Sequence, residues 1–541
     1  MPPNKPIRNG LVITGIALLI LGVTYIVTNY LAHQKFPKLF GDKVQVASLD
    51  LNLLKRSVRF RQPTLNLDTA QADTSVSIYS RAKEIYITGF SVWSLLFDHE
   101  VHVNNIVFDS LALEIKLPSE RPTNQEREAI NLFVKEVFTR IEVENFELKN
   151  AHIRAFHHGK ASDFLRVSGL NIGARKIVVD TGTIDQLFPM AFEQSTITID
   201  STYLKLNENY TLTSGKLDVR DTALAIKSLH FKPIWSKEKF AEKHPYEKAR
   251  IDFFVDSLHA QKLLWELHKN KRTELSSSKL HLHQPVLEVY KDKNPPQGPP
   301  HTKPLLSGLL HKIPLAFRCD TLTATDGFIA YEQYPVALPR SGRISFENLY
   351  VSAYHISNDT AYLQHQPTLT IDVLSQFMGV GKLTTQINLD MNSASQQFGV
   401  SGSLDEMPLS YVNQVLSPLV GVKAKGDLRS LDFDFKGDDY SSSGELFFQY
   451  ENLNITVFDK ERDEKWLQSI LGNLVVRNEN LPSESNYKTG NIYFIRYQNK
   501  DFFNYLWNSL RVGLMDIVVP FYTNPDKANP PEERKIKEDN H

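Results

Sequence analysis

A ten-residue pattern, apolar-x-apolar-x-polar-x-x-apolar-x-apolar, occurs six times in this chain and limits its fold more than any other feature. The copies are Val58-Phe60-Gln62-Leu65-Leu67, Ile106-Phe108-Ser110-Leu113-Ile115, Phe146-Leu148-Asn150-Ile153-Ala155, Leu217-Val219-Asp221-Leu224-Ile226, Leu280-Leu282-Gln284-Leu287-Val289 and Leu322-Ala324-Asp326-Ile329-Tyr331. Strand side chains alternate with period two, so each copy reads as two short strands hinged at a turn on the polar residue. Gln62-Pro63, Gln284-Pro285 and Asp326-Gly327 supply turn chemistry, because proline pre-sets φ and glycine admits positive φ. Iteration of such a unit predicts one elongated sheet rather than a compact enzyme core.

The copies are spaced as a duplicated set. Ile106 to Leu280 is 174 residues, Phe146 to Leu322 is 176, and Val58 to Leu217 is 159. Flanking text follows a similar offset. Trp93-Ser94-Leu95-Leu96 matches Trp265-Glu266-Leu267, Ser168-Gly169-Leu170-Asn171-Ile172 matches Glu347-Asn348-Leu349-Tyr350-Val351, and Thr198-Ile199-Asp200 matches Thr370-Ile371-Asp372.

An aromatic content of 11% and a hydrophobic content of 41% argue for a folded chain. The formal net charge of −1 removes the electrostatic case for nucleic-acid binding. A single cysteine, Cys319, excludes an intrachain disulfide framework and any CxxC site.

From Gly10 to Ala32 no residue is charged, and residues 11–31 are dominated by Leu, Ile, Val and Ala. As a helix this stretch would span about 31 Å, matching a hydrocarbon core of about 30 Å. Lys5 and Arg8 precede it, and Tyr25 and Tyr30 stand toward its far end. A cleaved signal peptide is the rival reading, but the apolar run is long for one and no A-x-A site follows. The expected layout is a cytoplasmic stub at 1–10, a membrane anchor at 11–31, and the rest of the chain on one side of the membrane.

Two halves of a β body are expected, 32–290 and 305–500, joined by a loop at 291–304 that holds five prolines. Strand-like alternation is cleanest over 195–231 and returns at 383–391, 428–435 and 444–458. Helical spacing marks 124–139, 305–312, 408–419 and 501–522. The last is either a cap on the end of the sheet or a helix that touches a membrane. The tail, 523–541, reads as disordered. An open sheet with one apolar face needs a cover, which a second sheet, curling of the sheet onto itself or a bound apolar ligand would provide.

No catalytic motif stands out. Gly379-Val380-Gly381-Lys382 lacks the following Ser/Thr and the first glycine of a phosphate loop, so it reads as a strand turn. Asp432 and Asp434 read as the wet face of a strand rather than a calcium loop. His157-His158, His281 and His283 lack converging partners for zinc. There is no GxSxG elbow, HExxH helix or Rossmann glycine pattern. These absences lead to an expectation of no enzyme activity, no metal and no cofactor.

The N-terminal anchor followed by strand pairs with Gln62-Pro63 and Gln284-Pro285 resembles the AsmA-like family of Gram-negative envelope proteins. Trp93-Ser94-Leu95-Leu96 and the run from Leu419 to Leu428 strengthen the likeness. The resemblance implies a repeating β-groove: an N-terminal transmembrane helix, then an elongated, twisted antiparallel sheet with a taco-like section and a few short helices. It also implies phospholipid as ligand, an inner-membrane anchor with a cytoplasmic N-terminus, a periplasmic body, and an outer-membrane or periplasmic protein at the distal end. The groove candidates are the apolar pattern positions Val58, Phe60, Ile106, Phe108, Phe146, Leu148, Leu217, Val219, Leu280, Leu282 and Leu322. At about 4.8 Å per strand, some twenty strands would extend about 100 Å. The alternative is a non-catalytic envelope scaffold acting through sheet edges.

Overall fold

The computed structural model describes residues 44–528, apart from residue 53 and the segments 68–76, 92–99, 118–139, 158–161, 181–192, 267–272, 300, 336–339, 458–475 and 520–521. The described chain is mainly β, 61% strand and 12% helix, in a large twisted mixed sheet. The expected anchor at 11–31, the expected helix at 124–139 and the Trp93 motif lie outside the described residues. Among the described residues no helix is long and apolar enough to cross a membrane. The chain forms two compact units, 1–230 with 261–274, and 231–260 with 275–541.

In the first unit the repeated pattern makes a crease rather than a hairpin. Ser57–Arg61 pairs with Ser48–Asn52 and Glu84–Thr88, whereas Thr64–Leu67 pairs with Val44–Gln45 and Ser77–Arg81. The two pieces around Gln62 therefore keep separate neighbours and do not fold onto each other. Around Asn150 the strand does not break at all, and Arg140–His157 runs through the crease. Only one copy forms the expected hairpin: Leu217 stands opposite Ile226 and Arg220 opposite Ala223, turning at Asp221-Thr222.

The physical reason is shared by all six copies. Gln62, Ser110, Asn150, Asp221, Gln284 and Asp326 each hold a left-handed backbone, with φ between 48° and 54°. From the second to the third apolar position of a copy is five residues, an odd step that would place them on opposite faces of an unbroken strand. In the creased copies the left-handed residue contributes the extra residue of a bulge, at Asp221 it opens a two-residue turn, and in either case both flanks then face the same way. The break is visible at Lys149 and Asn150, two consecutive exposed residues between alternating buried runs. Partner strands carry the same fold line through Gly169, at φ 65°, where an added Cβ would lie 2.0 Å from the Asp200 carboxylate.

The all-antiparallel expectation is corrected at one place in the first unit. Glu100–Asp109 and Ala112–Leu117 pair in parallel with Arg140–His157. Parallel neighbours need a crossover of a dozen or more residues, and 118–139 provides 22. The second unit repeats the arrangement. His281 meets Thr323 and His283 meets Thr325, both 42 residues apart, so Glu274–Asp292 and Ala316–Tyr334 run in the same direction.

From Ala316 to Ile495 the second unit is an antiparallel meander, preceded by a short helix at Leu306–His311 and interrupted by others at Thr360–Leu363 and Asn413–Val420. Met378 and Gly379, both left-handed, make the hairpin read from the Gly379 run. Asp432 and Asp434 alternate with buried Phe433 and Phe435, as a strand's wet face does. Phe502–Val518 is a helix whose N-cap is Asp501. It lies against the last two strands so closely that a Cβ on Gly490 would fall 2.3 Å from the Gly513 carbonyl oxygen.

The tail reading is corrected at its start. Pro525–Ala528 forms a helical turn, and the buried Asp526 carboxylate accepts a 2.8 Å bond from the Ile495 amide. Asn524 Nδ2 donates to the Tyr493 carbonyl, so this turn occupies polar groups along the edge of the final strand.

Candidate functional site

The sequence candidates of the first unit fall into continuous apolar rows. One runs Val58, Ile87, Ile106, Phe146, Ala174 across five neighbouring strands. The next runs Phe60, Ile85, Phe108, Leu148, Ile172, Ile197, Val219, Leu224. Leu217 stands between Ile199 and Ile226 in a third. Beyond the crease, Leu113 pairs with Ile153, and Ile115 with Ala155. The opposite face is charged, with ion pairs Arg59–Glu84 at 3.2 Å and Lys83–Asp109 at 3.0 Å. Lys83 first, and then the Ser110 hydroxyl, hold the Asp109 carboxyl below the usual aspartate range.

The rows are not equally covered. Val58, Phe60, Ile106, Phe108, Phe146 and Leu148 are each at most 5% exposed and belong to one buried cluster. That cluster also contains Leu113, Ile115, Ile153 and Ala155 from beyond the crease. Of the three possible covers, this part of the sheet uses the second, curling onto itself. Phe108 and Phe146 meet with ring centroids 5.9 Å apart and planes tilted by 56°. By contrast, Leu217 and Val219 are half-buried, as are Leu280, Leu282 and Leu322 in the second unit.

In the second unit another row runs Leu322, Ala353, Ile371, Ile387, Val400, Phe435. Its cover changes along its length: Leu322 and Ile371 are half-buried, and Val400 and Phe435 are sealed in a cluster that includes Phe502, Tyr505 and Ile517 of the C-terminal helix. The helix therefore closes the far end of this row, where Phe398 meets both Phe502 and Tyr505 edge-on.

Several members of the rows lie outside the six-fold pattern. Ile85 and Ile87, and Ile172 and Ala174, sit on the intervening strands, where the only signal is plain period-two alternation. His281 and His283 donate or accept at Thr323 and Thr325, and burial first, then nearby Lys279, pushes the His281 imidazole down. Among the described residues no group of three or more His, Cys, Asp or Glu is placed to hold a metal ion.

No protein-family model matches the sequence, and a search of curated proteins finds no match. The site is therefore read from its own geometry: apolar rows on a creased face, charged on the back, sealed in one stretch and half-open in others.

Proposed function

We propose that the half-open rows carry lipid acyl chains, and that the protein is a non-enzymatic, AsmA-like conductor of phospholipid anchored in the inner membrane through residues 11–31, with its β body in the periplasm. The observation that carries this reading is the change in cover. The same pattern positions that are sealed at Phe60 and Phe108 remain half-exposed at Leu217, Val219, Leu280, Leu282 and Leu322. Apolar surface left in water costs about 25 cal/mol per Å², and a bound acyl chain removes that cost. A phospholipid with two chains of about 15 methylenes faces roughly 24 kcal/mol in water at about 0.8 kcal/mol per CH₂. An apolar lane lowers that barrier by burial alone, with no catalytic group.

The scaffold reading, in which strand edges recruit a partner, finds less support at the C-terminal end. There Asp526 and Asn524 already occupy groups that an added strand would use.

The test is photocrosslinking in the full chain with a lipid-reactive residue placed at Val219, Leu282 or Phe108, followed by mass spectrometry. Phospholipid adducts are expected at Val219 and Leu282 and not at Phe108. A chain that purifies folded, carries no lipid and yields no adduct at any of the three positions would transfer the assignment to the scaffold.

A further inference from the structure

One apolar lane of the second unit ends in a cluster of lysines. On Glu274–Asp292 the period-two face that carries Leu287 and Val289 continues to Lys291 and, one step past the strand, Lys293. Both ammonium groups reach the Glu247 carboxylate, at 3.1 and 3.0 Å. Two more lysines are brought there by the loop and the last turn before the C-terminal helix. The Lys303 amide donates to the Gln498 carbonyl at 2.9 Å, and buried Arg496 donates to the carbonyls of both Lys303 and Lys500.

The charge at this place is unbalanced. Two ammonium groups share the one Glu247 carboxylate, the charges of Lys303 and Lys500 lie near them, and Asp501, the other carboxylate near Lys500, is committed to capping the helix at the Asn504 amide. Among the described residues the Lys303 and Lys500 ammonium groups make no ion pair or hydrogen bond. None of the four lysines stands free in solvent; all are partly buried. Burial first, then repulsion from Lys291, pushes both Lys293 and Lys500 below the usual lysine range. Beside them Tyr331, the last apolar position of the sixth pattern copy, is pushed up by burial and then by the charges of Asp501 and Glu247. The lysines therefore stand where the apolar lane stops. Crowded, half-dehydrated cations with too few counter-charges gain most from a polyvalent oxyanion.

We propose that Lys291, Lys293, Lys303 and Lys500 form a binding site for a phosphate group, carried on a lipid headgroup or free in solution. Placing a headgroup there rests on the lipid-carrying reading above; the phosphate site itself does not. Glu247 is the competitor that a bound phosphate displaces, and Arg496 is the positioning residue that ties the loop to the helix turn.

The experiment is calorimetric titration of the full chain with two probes, inorganic phosphate and dihexanoyl phosphatidate. For the wild-type chain the phosphatidate is expected to bind tighter than phosphate. The double variant Lys293→Gln/Lys500→Gln should weaken both probes at least tenfold, while Glu247→Gln should tighten both several-fold. Opposite signs separate a site from a folding defect, since damage to the fold would weaken binding in both variants. If phosphate and phosphatidate bind equally and both respond to the variants, the phosphate site stands and the lipid-carrying reading falls. If neither probe binds the wild-type chain, or the lysine variant binds as well as wild type, the site is refuted whatever lipid the half-open rows hold.

Discussion

The third and the fifth copies of the pattern are built alike and end up in different surroundings. Phe146 and Leu148 are sealed, at 3% and 2% exposure, whereas Leu280 and Leu282 are half-open. Both copies sit within one long strand, both crease at a left-handed polar residue, and both strands have a parallel neighbour. The pattern therefore encodes the fold line and the facing of side chains, but not closure. Closure depends on what stands across the crease. Around Phe146 and Leu148 the rows hold Ile85, Ile87, Ile106 and Phe108, bulky enough to meet residues from the far flank. The face that carries Leu280 and Leu282 begins with Ser276 and Ser278, and the row of Leu322 continues into Ala353. Leu280 and Leu282 belong to neither buried cluster among the described residues, and neither do Leu287 and Val289 beyond their crease.

The largest expected effect tests this contrast directly. Phe108→Ala removes a sealed ring and should cost about 3–5 kcal/mol in urea unfolding, whereas Leu282→Ala should cost less because the side chain is smaller and only partly buried. Equal costs would abolish the distinction between the two regions. By the same reasoning Phe108→Asp reports on folding rather than on lipid occupancy, because it places a carboxylate in a packed cluster.

A smaller effect should be shared by both regions. Valine in a left-handed backbone costs about 1–2 kcal/mol, so Asn150→Val and Asp326→Val should each destabilise by that amount while glycine at either site is near neutral. Asp326→Val should fall at the upper end, because it also removes the acceptor of the 2.6 Å bond from the Tyr350 hydroxyl. A difference of more than about 2 kcal/mol between the two valine variants would show that the creases are not equivalent.

The smallest effect separates the units by pH. Burial raises the Glu247 pKa, but Lys293 and then Lys291 outweigh it and hold the carboxyl below the ordinary glutamate value. A depressed carboxyl contributes stability that is complete above the unfolded-state pKa and is lost as pH falls through the folded one. Acid unfolding of the second unit should therefore begin as pH drops below about 4.5, and Glu247→Gln should flatten that limb. Asp109 in the first unit is lowered in the same direction, but its pair with Lys83 is solvent-screened, so Asp109→Asn should change acid stability by well under about 1 kcal/mol. Hydrogen exchange followed from pH 6 to pH 3 reads both units in one sample.

Much of the architecture is legible in the sequence because it is local. All six polar positions singled out by alternation are left-handed, the helices at 306–311 and 502–518 fall inside their expected spans, and the one at 413–420 overruns its span by a single residue. What the pattern leaves open is whether the polar residue starts a hairpin or a crease. A two-residue turn and a bulge both reset the alternation, so Asp221 and Asn150 look the same in sequence and differ in the partners available to each flank. The parallel pairs depend on which distant strand the crossover reaches, and the cover of a row depends on which residues, far away in sequence, pack against it. The lysine cluster was hidden for a similar reason: Lys303 and Lys500 are neighbours because Arg496 and the Lys303–Gln498 backbone bond tie together segments nearly two hundred residues apart.

The left-handed residue also gives the sheet something like a reading frame. Remove His152 alone and the side chains after it invert: Arg154 would turn inward, and Ile153 and Ala155 would face water, whereas removing Asn150 takes out the extra residue and leaves the alternation in phase. A single-residue deletion within a flank would thus be felt along the rest of its strand, while one at the crease would cost the fold line and keep lining and exterior in phase. The polar residue at a crease is the one position such a strand can lose without exchanging its two faces.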